Sequence, residues 1–369
     1  MAPQATEPQV SEPPVIEHGG GVWSVKVPIP DNPLGFTLVH LLATDAGPVL
    51  IDTGWDDPTS WSALTAGLGT CGVAVEDVHG VVITHHHPDH HGLSAKVREV
   101  SGAWIAMHEA DASVVRRTRS QPPERWYGYM AAKLTAAGAP AEHVAPLLRA
   151  RDEGRPRRLP GLDPALPDRG ITPGELLDLP GRRLRAIWTP GHTPGHVCLH
   201  LEEEHPAGLR GFGRLFSGDH LLPGITPHIG LYEDPDDDTV TDPSPSSRLR
   251  STRGDPIGHY LDSLKRVGRL DPAEVLPAHQ HAFTGAPARV RELIAHHEER
   301  LTGLLTLLTE PLTPWRLAER MAWNRPWDEI PHGSRSIAVS EAEAHVRRLV
   351  KLGRAEAVAG SDPVTYVAV

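Results

Sequence analysis

The chain is poor in cysteine. Two of its 369 residues are cysteines, Cys71 and Cys198. They show no Cys-x-x-Cys spacing, which excludes a zinc ribbon and a disulfide framework and leaves each to be read as a small buried apolar residue. No run approaches the roughly 18 apolar residues a spanning helix needs, so no membrane segment is expected. The opening "MAPQATEPQVSEPPVIEHGG" lacks a basic region followed by an apolar one and does not read as a secretory signal. The expectation is a cytoplasmic protein with a flexible Pro/Glu-rich tail over residues 1–14. Basic excess is missing too. The net charge of −11 argues against nucleic acid as a partner and for a small molecule. There is no fixed-period repeat.

What is present is an apolar fraction of 39%, enough for a sizeable core, in a length that suits one large domain or two. "VWSVKVPI", "FTLVHLLAT", "PVLIDTG" and "EDVHGVVIT" read as strands, and "PTSWSALTAGLGTCG" and "GLSAKVREVSG" as helices between them. That alternation predicts an α/β fold. Residues 111–150 change character and read as an inserted helical cap, with Trp126, Tyr127 and Tyr129 as candidates for a substrate wall or for ordinary packing. Strands resume at "RRLRAIWTPG", "HVCLHLE" and "GRLFSGDHL". Residues 233–256 are polar and rich in Pro, Asp, Ser and Arg, a long loop that includes the run Asp234–Asp238. The main domain is taken as 15–285. From 286 to 369 a separate unit is expected: a long amphipathic helix, a second capped by Thr313, a third capped by Ser340 and ended by Gly353, and a small hairpin. Helix, helix and hairpin suggest a winged-helix module. Residues 315–369 hold eight Lys/Arg against seven Asp/Glu, so packing or homodimerisation is favoured over DNA binding.

The chemistry is concentrated in "VVITHHHPDHHG". Side chains two apart on extended backbone point the same way, so His85 and His87 can converge on one ion. Pro88 keeps His87 out of helical geometry, and Asp89 and His90 fall near a helix start, where a carboxylate is favourable. Imidazoles with a carboxylate suit zinc, and also iron or manganese. Further ligands stand after apolar runs: His192 in "TPGHTPGH", Asp219 in "FSGDH" and His279 in "VLPAHQHAF". Asp52, at the end of "LIDTG", is placed to orient a ligand as an acceptor. His86 and His91 fall outside the His-x-His-x-Asp-His spacing and are read as packing or solvent contacts. His196 is read as a structural hydrogen-bonding histidine, and the pair His296 and His297 as solvated on its helix. His220 and Tyr232 are candidates for the pocket.

These five segments, in this order, resemble the metallo-β-lactamase superfamily over residues 22–285. The resemblance implies a four-layered αβ/βα sandwich with two divalent metals at one edge. Carried over, His85, His87 and His192 hold one metal, Asp89, His90 and His279 the other, and Asp219 bridges them. "PAHQH" departs from the family's usual proline-glycine-histidine-glycine stretch, which leaves His281 as a second candidate beside His279. With its C-terminal module the chain resembles the LACTB2-like subgroup, some members of which are endoribonucleases. The expected function is dinuclear hydrolysis, with zinc as the first choice of metal. A bridging hydroxide attacks a thioester, lactone or other ester, and Asp89 is available to accept a proton. The alternatives are phosphodiester cleavage of RNA, a mono-iron persulfide dioxygenase and, outside enzymes, a DNA-binding regulator.

Overall fold

The computed structural model describes residues 14–155, 163–232 and 255–369. The tail expected over residues 1–14 and the acidic run Asp234–Asp238 lie almost wholly or wholly outside the described residues.

Two sheets face each other. The first has seven strands in sequential order: β1 (Val15–Gly19), β2 (Val22–Pro28), β3 (Phe36–Leu42), β4 (Val49–Ile51), β5 (Gly80–Val82), β6 (Trp104–His108) and β7 (Arg169–Ile171). The hairpin-connected strands β1 to β4 pair antiparallel, and β4 to β7, joined through helices, pair parallel. The second sheet runs β11 (Glu274–Pro277), β10 (Arg214–Gly218), β9 (Val197–Leu201), β8 (Leu184–Trp188).

Alternation along the strands explains the layering. Ile51, Val82 and Ala106 of the first sheet meet Val197, Leu199 and Phe216 of the second in a central core. The intervening Leu50, Val81 and Ile105 face outward and pack against Leu64 and Leu68 of the helix Pro58–Thr70. On the far side Cys198, Leu215 and Val275 pack against the helices Pro256–Gly268 and Ala286–Leu307. Four layers result, helix on sheet on sheet on helix. Because these strands are buried on both faces, they appear in the sequence as near-continuous apolar runs. β1 and β7 were not expected as strands. β7 has three residues, two of them exposed, too few to display alternation.

The helical insertion is present as Glu109–Ser120, Pro123–Ala136 and Ala141–Asp152. Its buried residues, Ala131, Leu134 and Val144, share one core with Leu304, Leu308, Trp315, Leu317, Val346 and Tyr366 from the C-terminal segment. The backbone links them as well: Trp315 N–H donates to the Ala137 carbonyl at 2.9 Å. The C-terminal segment contains the helices Pro314–Arg320 and His332–Lys351 and the hairpin β12 (Ala355–Ala357), β13 (Tyr366–Ala368). Thr313 caps the first of these helices, accepting from Arg316 N–H at 3.2 Å. Ser340 does not cap the second. That helix begins at His332, and Ser340 is buried at its centre. His297 also departs from the solvated reading: it is buried, with its Nδ1 3.1 Å from His345 Nε2. No helix among the described residues is long and apolar enough to cross a membrane.

Candidate metal centre

The site forms where loops leave the two sheets at one edge. After β5 the chain stays extended through His87 (φ −64°, ψ 149°) and then enters a one-turn helix, Pro88–His91, with proline at its first turn. This break turns one short stretch toward two places. His85 and His87 meet His192 from the loop after β8: His85 Nε2 and His192 Nε2 lie 3.1 and 3.0 Å from His87 Nδ1. Asp89 and His90 meet His279, which follows β11. Asp89 Oδ2 lies 3.5 Å from His90 Nε2 and 3.4 Å from His279 Nε2.

Asp219, after β10, stands between the two groups. Its Oδ2 is 3.4 Å from His192 Nε2, and its Oδ1 is 3.4 Å from His90 Nε2 and 3.2 Å from His279 Nε2. A tetrahedral ion bound at about 2.05 Å separates its ligand atoms by about 3.3 Å, so both groups match the edges of such a polyhedron. Asp219 Oδ1, His90 Nε2 and His279 Nε2 are buried without any hydrogen-bond partner. Orphaned polar atoms that converge this way fit divalent cations.

The far ring nitrogens set the tautomers. His192 Nδ1–H donates to the His228 carbonyl at 2.8 Å, and His279 Nδ1–H to the Phe36 carbonyl at 2.9 Å. His90 Nδ1–H donates to Asp52 Oδ2 at 2.8 Å. Thr84 Oγ1 gives its proton to Asp52, so it accepts from His85 Nδ1–H at 3.0 Å. All four therefore present a bare Nε2 to the site once they are neutral. Asp52 accepts from Thr84 N–H as well, and it holds a left-handed backbone (φ +62°), strain that the surrounding hydrogen bonds sustain. Gln280, the residue after His279, is left-handed too (φ +71°), a conformation that favours glycine, and its side chain accepts from Gly224 N–H at 2.8 Å.

The two groups differ electrostatically. Burial pushes His85 and His87 well below the usual imidazole range, helped by their histidine neighbours, and burial lowers His192 as well. His90 and His279 go the other way. Burial opposes their charge, but Asp89, Asp219 and Asp52 outweigh it at His90, and Asp219 with Asp89 raises His279 to about 10. Asp89 and Asp219 are driven down by the same pairing against the cost of burial.

The remaining candidates fall into place around this centre. His281 is exposed on the loop beyond His279 and belongs to neither ligand group. His220 is buried behind Asp219 against the Tyr260 ring, 5.1 Å between centroids, and takes no part in the cavity wall. His196 accepts from Asp219 N–H at 3.2 Å and pairs with Thr189 Oγ1 at 2.8 Å. His91 is fully buried. His86 bonds Asp111 through both its backbone N–H and its Nδ1, at 2.9 and 3.1 Å.

Asp111 escaped sequence reasoning. Fully buried at the start of the cap, it also accepts from Thr193 Oγ1 (2.8 Å) and Gly195 N–H (2.6 Å) and so ties the two histidine loops together. Burial opposes its ionisation, yet His86 and these hydrogen bonds keep its pKa low. No motif marks it.

Above the centre lies a cavity of about 1120 Å³. His87, Asp89, His192, Asp219 and His279 form its floor. Trp126, Tyr129 and Met130 of the cap, with Ile337 and Tyr366 of the C-terminal segment, form its roof, and Tyr232 lies in its wall. Tyr127 is not part of it.

The chain matches known proteins over most of its length. It is 25% identical over 313 residues to the probable metallo-hydrolase YqjP of Bacillus subtilis, covering 81% of this chain and 84% of that one. The lactamase-like protein nscB of Aspergillus fumigatus is 30% identical over 148 residues, 39% of this chain and only 35% of its own length. A metallo-β-lactamase family protein of Thermus thermophilus, TTHA1429, superposes with a TM-score of 0.71 at 28% identity over 95% of this chain and 99% of its own. A β-lactamase domain protein of Burkholderia ambifaria shares the fold, with a TM-score of 0.76 at 23% identity over 98% and 97% of the two chains. The family model itself matches residues 32–279, which span all seven clustered candidate ligands, and the chain belongs to the metallo-β-lactamase superfamily.

Proposed function

We propose that this protein is a metal-dependent hydrolase with a dinuclear centre, loaded with zinc, that acts on a small acyl substrate: a thioester, lactone or other ester. The observation that carries the reading is Asp219, whose two carboxylate oxygens face two separate three-ligand groups. A pair of divalent ions lowers the pKa of a bound water toward neutrality and polarises a carbonyl oxygen. The chain's own residues do the rest. Asp219 and Asp89 stay ionised, and Asp89 lies at the cavity floor, where its carboxylate serves as a hydrogen-bond acceptor. The cap and the C-terminal segment roof the cavity and shield the reacting carbonyl from bulk water. Tyr232 offers a phenol that burial keeps protonated. Neither cysteine suits a nucleophile's role: Cys198 is buried in β9, where its thiol is pushed up to about 12, and Cys71 lies at the end of the helix Pro58–Thr70. The name of the Bacillus relative, a probable metallo-hydrolase, agrees with this reading.

The test is metal analysis of protein purified without added metal, together with hydrolysis assays on thioesters, lactones, β-lactams and phosphodiesters. About two zinc per chain with acyl hydrolysis is expected. A single iron with oxygen consumption would overturn the dinuclear reading. Cleavage of single-stranded RNA that weakens steeply with salt would overturn the substrate class.

A further inference from the structure

The C-terminal helix His332–Lys351 reaches the metal centre through one short segment. His192 Nδ1–H donates to the backbone carbonyl of His228 at 2.8 Å, the contact that fixes the orientation of this ring. The segment that supplies the carbonyl is held from outside. His228 Nδ1 lies 3.0 Å from Glu341 Oε2, and three residues on, Leu231 N–H donates to Ser340 Oγ at 3.0 Å. Ser340 and Glu341 are adjacent on that helix. Glu341 is itself fixed by Arg300 of the preceding long helix, with Nη2 2.9 Å from Oε1. The fit is close at Gly230, where a Cβ would stand 2.8 Å from Ser340 Oγ and 2.4 Å from the His228 ring. Among the described contacts of the His85–His87–His192 group, His192 alone has its far nitrogen on a backbone carbonyl of this segment. His279 uses the Phe36 carbonyl on β3, at the other end of the centre.

We infer that Glu341 and Ser340 are positioning residues for the metal ligand His192: the C-terminal helix sets the place of the His228 carbonyl, and through it the angle of the His192 ring. The segment therefore tunes one of the two ligand groups and leaves Asp89–His90–His279 untouched. Burial opposes the charge on Glu341, but the His228 bond and Arg300 outweigh it and hold the carboxyl at about 2, so Glu341 stays an ionised acceptor throughout the working range.

This inference rests on the metal-centre reading, and one experiment separates the two. The metal-free full chain is titrated with Co²⁺, and the visible spectrum is followed through the first and second equivalents, for the wild type, Glu341→Ala, Ser340→Ala and Glu341→Gln. If the wild-type chain takes up no cobalt, the metal centre itself is misread. If it binds two equivalents, the alanine variants are expected to lose roughly tenfold in affinity at one site, the low end of the effect of removing an orienting partner. The spectrum of that site alone changes. Glu341→Gln keeps an oxygen that can accept from the His228 ring and is expected to restore the wild-type spectrum. Wild-type affinity and spectrum in both alanine variants overturns the inference. So does equal weakening of both sites with a matching fall in melting temperature, which marks a merely structural role. Ser340→Ala removes one hydroxyl and guards against failure of Glu341→Ala to fold.

Discussion

His90 shows how much of this centre is decided one atom at a time. Its Nδ1–H is committed to Asp52, which leaves Nε2 facing Asp89 and Asp219. Replacing Asp52 with alanine removes that acceptor and the one for Thr84, and we expect metal affinity to fall by about 10–100-fold, read by chelator competition. His279 carries a second consequence. Its pKa is raised to about 10 without metal, so at neutral pH the empty site holds a proton there. Metal must displace it. Uptake at pH 7 should release protons, detectable with an indicator in weak buffer, and apparent affinity should weaken as pH falls below about 10. In the metal-free protein the same shift contributes stability that is fully present below the ordinary imidazole pKa of 6.5 and is lost as pH rises through about 10. At this scale the sequence was readable where chemistry forces spacing. The run from His85 to His90 shows its division between two side-chain clusters because proline interrupts it. Asp111 was not readable: it sits in a polar helix start, and only the three-dimensional return of the Thr193 loop gives it a purpose.

At the scale of elements, Asp111 joins the loop after β5 to the loop after β8. Asp111→Ala strands buried donors on both, and we expect a loss of about 1–3 kcal/mol in urea unfolding, with weakened metal retention because His85, His87 and His192 lose their common brace. The cap and the C-terminal helices are coupled by Trp315, which is 2% exposed within their shared core. Trp315→Ala should cost about 3–5 kcal/mol, and limited proteolysis should then cut within 109–152 before it cuts the sheets. Strands were legible here because burial on both faces concentrates Val, Leu and Ile. The start of the last helix was not. Ser340 with Glu343 three residues on imitates a capping box, whereas the true first turn, at His332, follows Pro331 and carries no side-chain cap. His297 looked solvated because its helix neighbours are charged, and it is buried because a second helix supplies His345 as its partner.

At the scale of the whole molecule, the layer order followed from alternation, but the meeting of the cap with residues from 301 onward did not. No local pattern in either segment names the other, and each reads as an ordinary amphipathic helix. The charge balance does act at this scale. With a net charge of −11 and a cavity roofed largely by apolar and aromatic groups, turnover of a neutral ester should vary less than about twofold between 50 and 500 mM salt. A steep decline would indicate a polyanionic substrate.

The core shared by the cap and the C-terminal segment also has a consequence in time. A ribosome makes the cap helices, residues 109–152, well before the C-terminal side chains that share a core with Ala131 and Leu134, which lie between Leu301 and Tyr366. Folding proceeds largely in the order of synthesis, so the two sheets can close while the cap still lacks its partner. The roof over the metal floor is then among the last parts to assemble, and a nascent chain halted before residue 300 leaves the histidines open to the cell's metal supply.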